Sequence, residues 1–235
     1  MPLNRSLSTV VIIASLVFAA VSHGENPSAE NASVKELKFE ENSHWKASRF
    51  GGDGPIEMKS GVLSLGFGDP LTGVRWEGDF PKQDYEISLE ARRTGGFDFF
   101  CGLTLPIADQ RFSLILGGWG GSLVGLSSID GLDASSNETQ LIRDFKKDQW
   151  YRVRVRVTGA EKINVWLDDD EIIDLDRNGR VMDVRSEMEE STPVGIAAFQ
   201  SDAEIRNVRL RTIPAKAAAP PAAASTSATG PAAKP

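Results

Sequence analysis

Glu90 and Arg92 form the first pair of residues whose types and spacing could do chemistry. They lie two positions apart in the segment YEISLEARR, in which apolar and polar residues alternate. Residues two apart on a β-strand point to the same face, about 7 Å from each other. A carboxylate beside a guanidinium suits sugar hydroxyls, and the carboxylate can also act as a general acid or base. The alternative is a solvated charge pair that contributes little.

A glycine-rich turn around Trp119 is the second candidate site. It opens the segment GGWGGSLVGLSSIDGLDASSNET, whose later part carries the polar residues Asp130, Asp133, Asn137 and Glu138. An exposed indole can stack on the apolar face of a sugar ring, and converging polar groups would orient that ring. The alternative is that Trp119 caps the core and the glycines only build the turn.

Acidic residues in DLDRNGRVMDVR form a third candidate. Asp174, Asp176, Asn178 and Gly179 match the opening of a calcium-binding loop, but Arg185 occupies the position that usually carries a bidentate glutamate. An Asn-Gly turn is therefore the preferred interpretation, and no cofactor is predicted. With 2 histidines in the chain, a multi-histidine zinc site is excluded.

Composition and charge narrow the functional classes further. The net charge is −7, and no clustered basic block accompanies it, so a nucleic-acid partner is not expected. Cys101 is the single cysteine and has no partner for an internal disulfide. Its apolar surroundings in FDFFCGL predict a small buried side chain rather than a nucleophile.

Four regions follow one another along the chain. Residues 1–24 combine a basic start, an apolar run and small residues, which predicts a signal peptide, with a retained membrane anchor as the alternative. Residues 25–36 form a polar lead-in, and residues 37–213 form the folded body. Residues 214–235 are rich in alanine and proline, which predicts a disordered tail. We therefore expect an extracytoplasmic protein with no membrane span after signal cleavage.

The body alternates with a period of two rather than 3.6. In YRVRVRVTGAEKINVWLDDDEIIDLD, three arginines alternate with Val153, Val155 and Val157 before the chain turns and returns. This pattern predicts a β-hairpin with valines inward and arginines outward, rather than a basic groove beside an acidic site. Many short strands of this kind predict an all-β, two-sheet antiparallel β-sandwich.

The order of these segments resembles a known family. GVLSLG, YEISLEARR, a glycine-rich pair of strands, WYRVRVRVTGAEKINVWLDDDEII, PVGIAAF and EIRNVRLR follow one another. Together they resemble the concanavalin A-like jelly-roll domains, and among them the secreted bacterial 3-keto-disaccharide hydrolases. The resemblance implies a sugar-binding concave face that carries Glu90 and Arg92. It also implies cleavage of 3-keto-glycosides outside the cytoplasm.

The leading hypothesis is therefore a secreted carbohydrate-active domain that cleaves 3-keto-glycosides. Glu90 or an acid of the 130–138 loop, such as Glu138, would act as acid or base, with Arg92 stabilising an oxyanion. Trp119 and the loop residues Asp130, Asp133 and Asn137 would bind the substrate. One alternative is a non-catalytic carbohydrate-binding module, lectin-like or laminin-G-like, and another is a structural envelope domain without a sugar ligand.

Overall fold

The computed structural model describes residues 33–214, which form two antiparallel β-sheets packed face to face. Sheet A has a path of seven strands from edge to edge: β13 (Asp170–Asp176), β12 (Lys162–Leu167), β11 (Tyr151–Thr158), β6 (Tyr85–Gly96), β15 (Ser201–Thr212), β4 (Val62–Leu65) and β3 (Ile56–Lys59). A short eighth strand, β1 (Val34–Glu36), pairs with β15 beyond the end of β4.

Sheet B contains seven strands, and a few short elements connect them. Its order is β10 (Leu141–Ile142), β9 (Leu123–Ser127), β8 (Gln110–Gly117), β7 (Cys101–Ile107), β14 (Gly195–Phe199), β5 (Leu71–Trp76) and β2 (Trp45–Ala47). A one-turn segment, Gly118–Gly121, joins β8 to β9, and a 3-10 helix, Ser186–Ser191, precedes β14. This two-sheet antiparallel sandwich confirms the predicted jelly roll.

The alternating segments form strands with the predicted faces. Val153, Val155 and Val157 on β11 are buried in the main core between the sheets, and the intervening arginines lie on the outer face of sheet A. Asp168, in the turn between β12 and β13, has a φ of +55°, a conformation that aspartate tolerates better than most residues. The contrast of basic and acidic runs is therefore hairpin architecture, as predicted.

The main core fills the space between the two sheets. Tyr85 is fully buried there, and its hydroxyl donates a hydrogen bond of 2.6 Å to the backbone oxygen of Pro106. Cys101 is also fully buried, and burial raises the pKa of its thiol to about 12. The thiol is therefore protonated at neutral pH, in agreement with its prediction as a small apolar side chain.

The outer face of sheet A carries a network of arginines, glutamates and tryptophans. Glu86 accepts hydrogen bonds from Arg154, Arg156 and Arg211, which come from two neighbouring strands. Since the Glu86 carboxylate contacts guanidinium groups on both neighbouring strands, cross-strand pairing stabilises this solvated face.

A second apolar cluster lies on the outer face of sheet B. On β8, Leu114 and Leu116 join the main core, whereas Ile115 between them joins this second cluster together with Phe99 and Met188. Met188 comes from the 3-10 helix, so the segment before β14 folds over the sheet. Sheet B is consequently apolar on both faces, and its outer face is partly covered by loops.

Three sequence predictions lie wholly or mostly outside the described residues: the signal peptide of residues 1–24, the lead-in of residues 25–36 and the tail of residues 214–235. All three stay predictions, although the end of the lead-in, Val34–Glu36, forms β1 and pairs with β15. Within residues 33–214, no helix has the length and apolar character that a membrane crossing requires.

Candidate functional site

A pocket of about 240 Å³ opens on the outer face of sheet B. Its apolar wall comes from four side chains, Phe99, Ile115, Met188 and Phe199. Polar groups line the remainder: Asp98, Ser113, Ser127, Arg185 and Glu187. Trp119 completes the lining and is 45% exposed, one of the few large apolar side chains that face solvent. The mixture of apolar wall and a few polar groups is typical of small-molecule sites.

The turn that carries Trp119 has a constrained backbone. Gly117, Trp119 and Gly120 have φ values of +77°, +49° and +89°, a region that favours glycine and is uncommon for tryptophan. Asp98 holds the turn, because its Oδ2 accepts a hydrogen bond of 3.0 Å from the backbone N–H of Gly120. The structure thereby presents an indole on the pocket side at the expense of local strain.

Arg93 also supports the turn that carries Trp119. Its guanidinium donates to the backbone oxygens of Gly121 at 3.4 Å and Phe145 at 3.0 Å. Gly121 has a φ of +109°, a conformation that residues with a side chain rarely adopt, and a Cβ there would lie 3.0 Å from the backbone oxygen of Phe97. Arg93 is thus a positioning residue, since it supports the Trp119 turn without lining the pocket.

Arg185 joins two carboxylates at the pocket rim. Its Nε donates to Glu187 Oε1 at 2.6 Å, and its Nη1 donates to Asp133 Oδ2 at 2.8 Å. Burial of Glu187 raises its pKa, but hydrogen bonds from its own backbone N–H and from Arg185 lower it by more, so the pKa lies below its ordinary value. The Glu187 carboxylate is ionised at neutral pH and is a weak base.

The structure shows what each polar residue of the 130–138 loop contacts. Burial raises the pKa of Asp133, but hydrogen bonds from the Ser135 side chain and backbone and the charge of Arg185 lower it below its ordinary value. Asp130 Oδ1 accepts the backbone N–H of Val181 at 2.8 Å. These two carboxylates are therefore engaged in holding the loop against the segment that follows β13.

Asn137 and Glu138 also make contacts that hold the loop. Asn137 is 8% exposed, and the two N–H groups of its amide nitrogen are shared among three backbone oxygens of the loop and of β9. Glu138 forms an ion pair with Arg180. Asp133 is the loop residue that reaches the pocket, through Arg185, whereas the substrate contacts expected of the others stay predictions.

Glu90 and Arg92 lie on a different face of the molecule from Trp119. Both project from the outer face of sheet A, where Glu90 accepts a hydrogen bond of 2.8 Å from Arg206, and Arg92 donates one of 2.6 Å to Glu204. Hydrogen bonds from Arg206 and Asn207 outweigh the effect of burial and lower the pKa of Glu90. The two residues share a strand face, as expected, but they do not share a cavity with Trp119.

The acids of the suggested calcium loop contact a lysine. Asp174 and Asp176 lie on β13, and Lys162 Nζ approaches their carboxylates at 2.5 and 3.1 Å. Within residues 33–214, no group of three or more histidine, cysteine or acidic side chains is arranged to hold a metal ion. Asn178 has a φ of +50° and lies beside Gly179, which agrees with the preferred Asn-Gly turn.

Several pocket residues were not singled out from the sequence. Asp98, Ser127, Arg185 and Glu187 come from three separate segments, and in the sequence Arg185 stands out only as a departure from the calcium-loop pattern. One signal was available for Asp98, because it is the charged residue in the aromatic run FDFF. A charge inside such a run indicates a polar group at an otherwise apolar surface.

Comparison with known proteins identifies the class of this domain. The family described as 3-keto-alpha-glucoside-1,2-lyase-like domain matches residues 41–211, which is most of the chain. The chain belongs to this carbohydrate-related family, as its sequence resemblance predicted. No curated protein matches the chain.

One solved structure of low sequence identity shows the same fold, and two others are similar to this chain at lower TM-scores. The Crh5 transglycosylase in complex with NAG has a TM-score of 0.52 and 9% identity, over 78% of this chain and 85% of that chain. The carbohydrate binding module CBM66 from Bacillus subtilis has a TM-score of 0.48 and 14% identity, over 71% and 94%. Domain 4 of the arabinanase AbnA from Geobacillus stearothermophilus has a TM-score of 0.49 and 14% identity, over 77% and 93%.

Proposed function

We propose that the pocket beside Trp119 binds a carbohydrate. The observation that carries the proposal is the exposed indole of Trp119, which is held in a left-handed turn at the edge of a pocket lined by both apolar and hydrogen-bonding groups. Sugar rings present C–H groups on their faces and hydroxyls at their edges, so they require both kinds of surface. Membership of a carbohydrate-related family supports the same conclusion.

The polar groups of the pocket suit hydroxyl recognition. Asp98 and Glu187 offer carboxylate oxygens, Arg185 offers N–H donors, and Phe99 and Phe199 form part of the apolar wall of the same pocket. Phe99 and Phe199 pack with ring centroids 5.6 Å apart, so this wall is a rigid aromatic surface. Fixed donors and acceptors around a rigid wall orient a ligand at low entropic cost.

Binding is favoured over catalysis by the state of the pocket carboxylates. Glu187 has a lowered pKa and is hydrogen-bonded to Arg185, which makes it a weak base. Asp98 accepts backbone N–H groups of Phe99 and Gly120 at 2.7 and 3.0 Å. Both carboxylates are thus already engaged in hydrogen bonds that orient them as acceptors. The proposed place of action is outside the cytoplasm, in keeping with the apolar N-terminal pattern of the sequence.

Replacement of Trp119 by alanine tests the binding proposal. Loss of the stacking surface is expected to weaken carbohydrate binding about tenfold or more. The free energy of unfolding should change by less than about 0.5 kcal/mol, because the side chain is 45% exposed and belongs to neither core cluster. Binding is measured by glycan array and titration calorimetry with the full chain.

Trp150→Ala is the matched control for this experiment. Trp150 lies on the sheet A side, 4.6 Å from the guanidinium of Arg92, so this variant tests the face that carries Glu90. We expect it to bind as the wild type does. Binding lost in Trp150→Ala and retained in Trp119→Ala would move the site to sheet A and reject the pocket.

Family membership favours a second function, the cleavage of 3-keto-glycosides in the same pocket. A ketone acidifies the proton on the adjacent carbon, so one base could remove that proton. A C=C bond then forms as the glycosidic C–O bond breaks, and the departing oxygen takes a proton from the protonated base or from water. Asp98 is the base we would assign, because it lines the pocket and, unlike Glu187, its carboxylate is not paired with an arginine among residues 33–214. Turnover by the wild type that disappears in Asp98→Asn would establish this activity. Binding without turnover would leave the binding role alone.

A further inference from the structure

Ser127 places a buried hydroxyl at the floor of the pocket. It is the last residue of β9 and pairs with Ser113 on β8, and both residues are 1% exposed. The adjacent Leu126 and Leu114 point into the main core, so the two serines point to the opposite face, where the pocket lies. The floor thus carries two hydroxyls inside a largely apolar wall.

The two hydroxyls differ in their hydrogen bonding. Ser113 Oγ lies 2.8 Å from Thr104 Oγ1, so each of these hydroxyls has a partner. Ser127 Oγ is buried and has no hydrogen-bond partner among residues 33–214. A buried hydroxyl without a partner costs free energy, and such groups in native structures call for an explanation. The position of the Ser127 hydroxyl at the pocket floor supplies an explanation, since a bound ligand could form a hydrogen bond with this hydroxyl.

The charges around the pocket limit the chemistry of that ligand. Arg185 is the cation among the lining residues, and its Nε and Nη1 are already engaged with Glu187 and Asp133. The carboxylates of Asp98 and Glu187 face the same space. An anionic group such as a uronate or sulfate would meet negative charge without an unpaired guanidinium to offset it. The pocket therefore favours a neutral ligand.

The size of the pocket limits the length of the ligand. Its volume of about 240 Å³ is below the range of roughly 300–1,000 Å³ typical of pockets for drug-sized molecules. One sugar ring fits a space of that size, whereas an internal stretch of a polysaccharide needs an open groove. The pocket therefore suits the terminal sugar residue of a glycan.

We propose that Ser127 Oγ recognises one hydroxyl of a single neutral sugar residue at the end of a glycan. This inference rests on the carbohydrate-binding function proposed above and assigns the ligand class and one residue that selects it. A serine hydroxyl can both donate and accept, so it pairs with a sugar hydroxyl in either direction.

The test compares Ser127→Ala with the wild type on a defined panel of probes. The panel contains methyl glycosides of glucose, galactose and mannose, their 3-keto and monodeoxy derivatives, and the corresponding uronates. We expect the variant to bind the best neutral glycoside about five- to tenfold more weakly, the size of one lost hydrogen bond between neutral groups. One monodeoxy glycoside should bind the wild type weakly and lose nothing further in Ser127→Ala. Uronates should bind neither protein.

Ser191→Ala is the matched control, because Ser191 is also fully buried with an unpartnered Oγ but does not line the pocket. Both alanine variants should unfold at the wild-type denaturant concentration or higher, and only Ser127→Ala should lose affinity. Binding that depends on Trp119 but not on Ser127 would overturn this inference alone, as would tight binding of a uronate. No binding of any probe by the wild type would overturn the proposed function together with it.

Discussion

Replacement of Glu86 by glutamine is expected to lower the free energy of unfolding by about 2 kcal/mol. The Glu86 side chain is 11% exposed, and its two carboxylate oxygens accept hydrogen bonds from Arg154, Arg156 and Arg211. Glutamine keeps the shape but removes the charge, so three guanidinium groups would face one another without compensation. The expected loss lies between that of an exposed pair and that of a buried one, because the arginines are each about one third exposed. Denaturant unfolding measures the change.

Glu204→Gln is the matched control on the same face. Glu204 pairs with Arg92, and both side chains are more exposed than that of Glu86, so we expect a loss below about 1 kcal/mol. High salt should reduce the penalty of Glu86→Gln, since it screens the repulsion among the arginines. Equal losses in the two variants, with no salt dependence, would show that the three-arginine cluster does not depend on the Glu86 charge.

Replacement of Asn137 by aspartate is expected to destabilise the protein by about 3 kcal/mol at neutral pH. The Asn137 amide nitrogen lies 2.8 Å from the backbone oxygen of Leu126, 3.2 Å from that of Leu132 and 2.8 Å from that of Asp133. The introduced carboxylate would turn a donor toward these three oxygens into an acceptor, in a site that is almost fully buried. Denaturant unfolding at pH 7 and pH 4 measures the effect.

The pH dependence of this variant has a defined sign. Repulsion from carbonyl oxygens and burial both raise the pKa of the introduced carboxyl, so the penalty should be largest above that pKa and should shrink as the pH falls through it. Asn178→Asp is the control, because Asn178 is exposed in a turn, and it should change stability by less than about 0.5 kcal/mol. A loss in Asn137→Asp as small as that of the control would contradict the assignment of Asn137 to loop architecture.

The sandwich could be predicted from the sequence because alternation reports burial directly. Val153, Val155 and Val157 are buried as the period of two requires, and Asn207, which interrupts the alternation of the last strand, lies at a β-bulge with a φ of +56°. Each of these features depends on neighbours in the chain. The local sequence pattern therefore predicts which segments form strands, which face of each strand is buried and where a strand is irregular.

The site could be predicted only in part, because alternation does not tell which sheet a strand joins. Glu90 and Arg92 were correctly placed on one polar strand face, but that face belongs to sheet A and the pocket to sheet B. The partner of Glu90 is Arg206, 116 positions away, and no local pattern reveals such a contact. A charged pair that is satisfied by distant residues cannot be distinguished in the sequence from one that is free to act.

The segment before β14 contributes residues to the pocket that local sequence could not identify. In DVRSEMEES, Met188 packs into the second apolar cluster, while Arg185 and Glu187 line the pocket. A 3-10 helix forms within this segment. Its contribution to the pocket depends on how that helix folds over sheet B, which is a tertiary contact.

The placement of β15 has a consequence for the order in which this protein can assemble. This strand lies inside sheet A, with β6 on one side and β4 and β1 on the other. Three strands that precede it in the chain therefore cannot complete their pairing until it is present. A chain still on the ribosome lacks this strand until residue 212 has been synthesised, and β6 has one side open until then. Sheet A therefore cannot be completed before this strand is available, and the dependence of folding on pairings distant in sequence is typical of slow, millisecond-to-second folders. During that interval the open strand edges are the part of the chain most exposed to association with other chains.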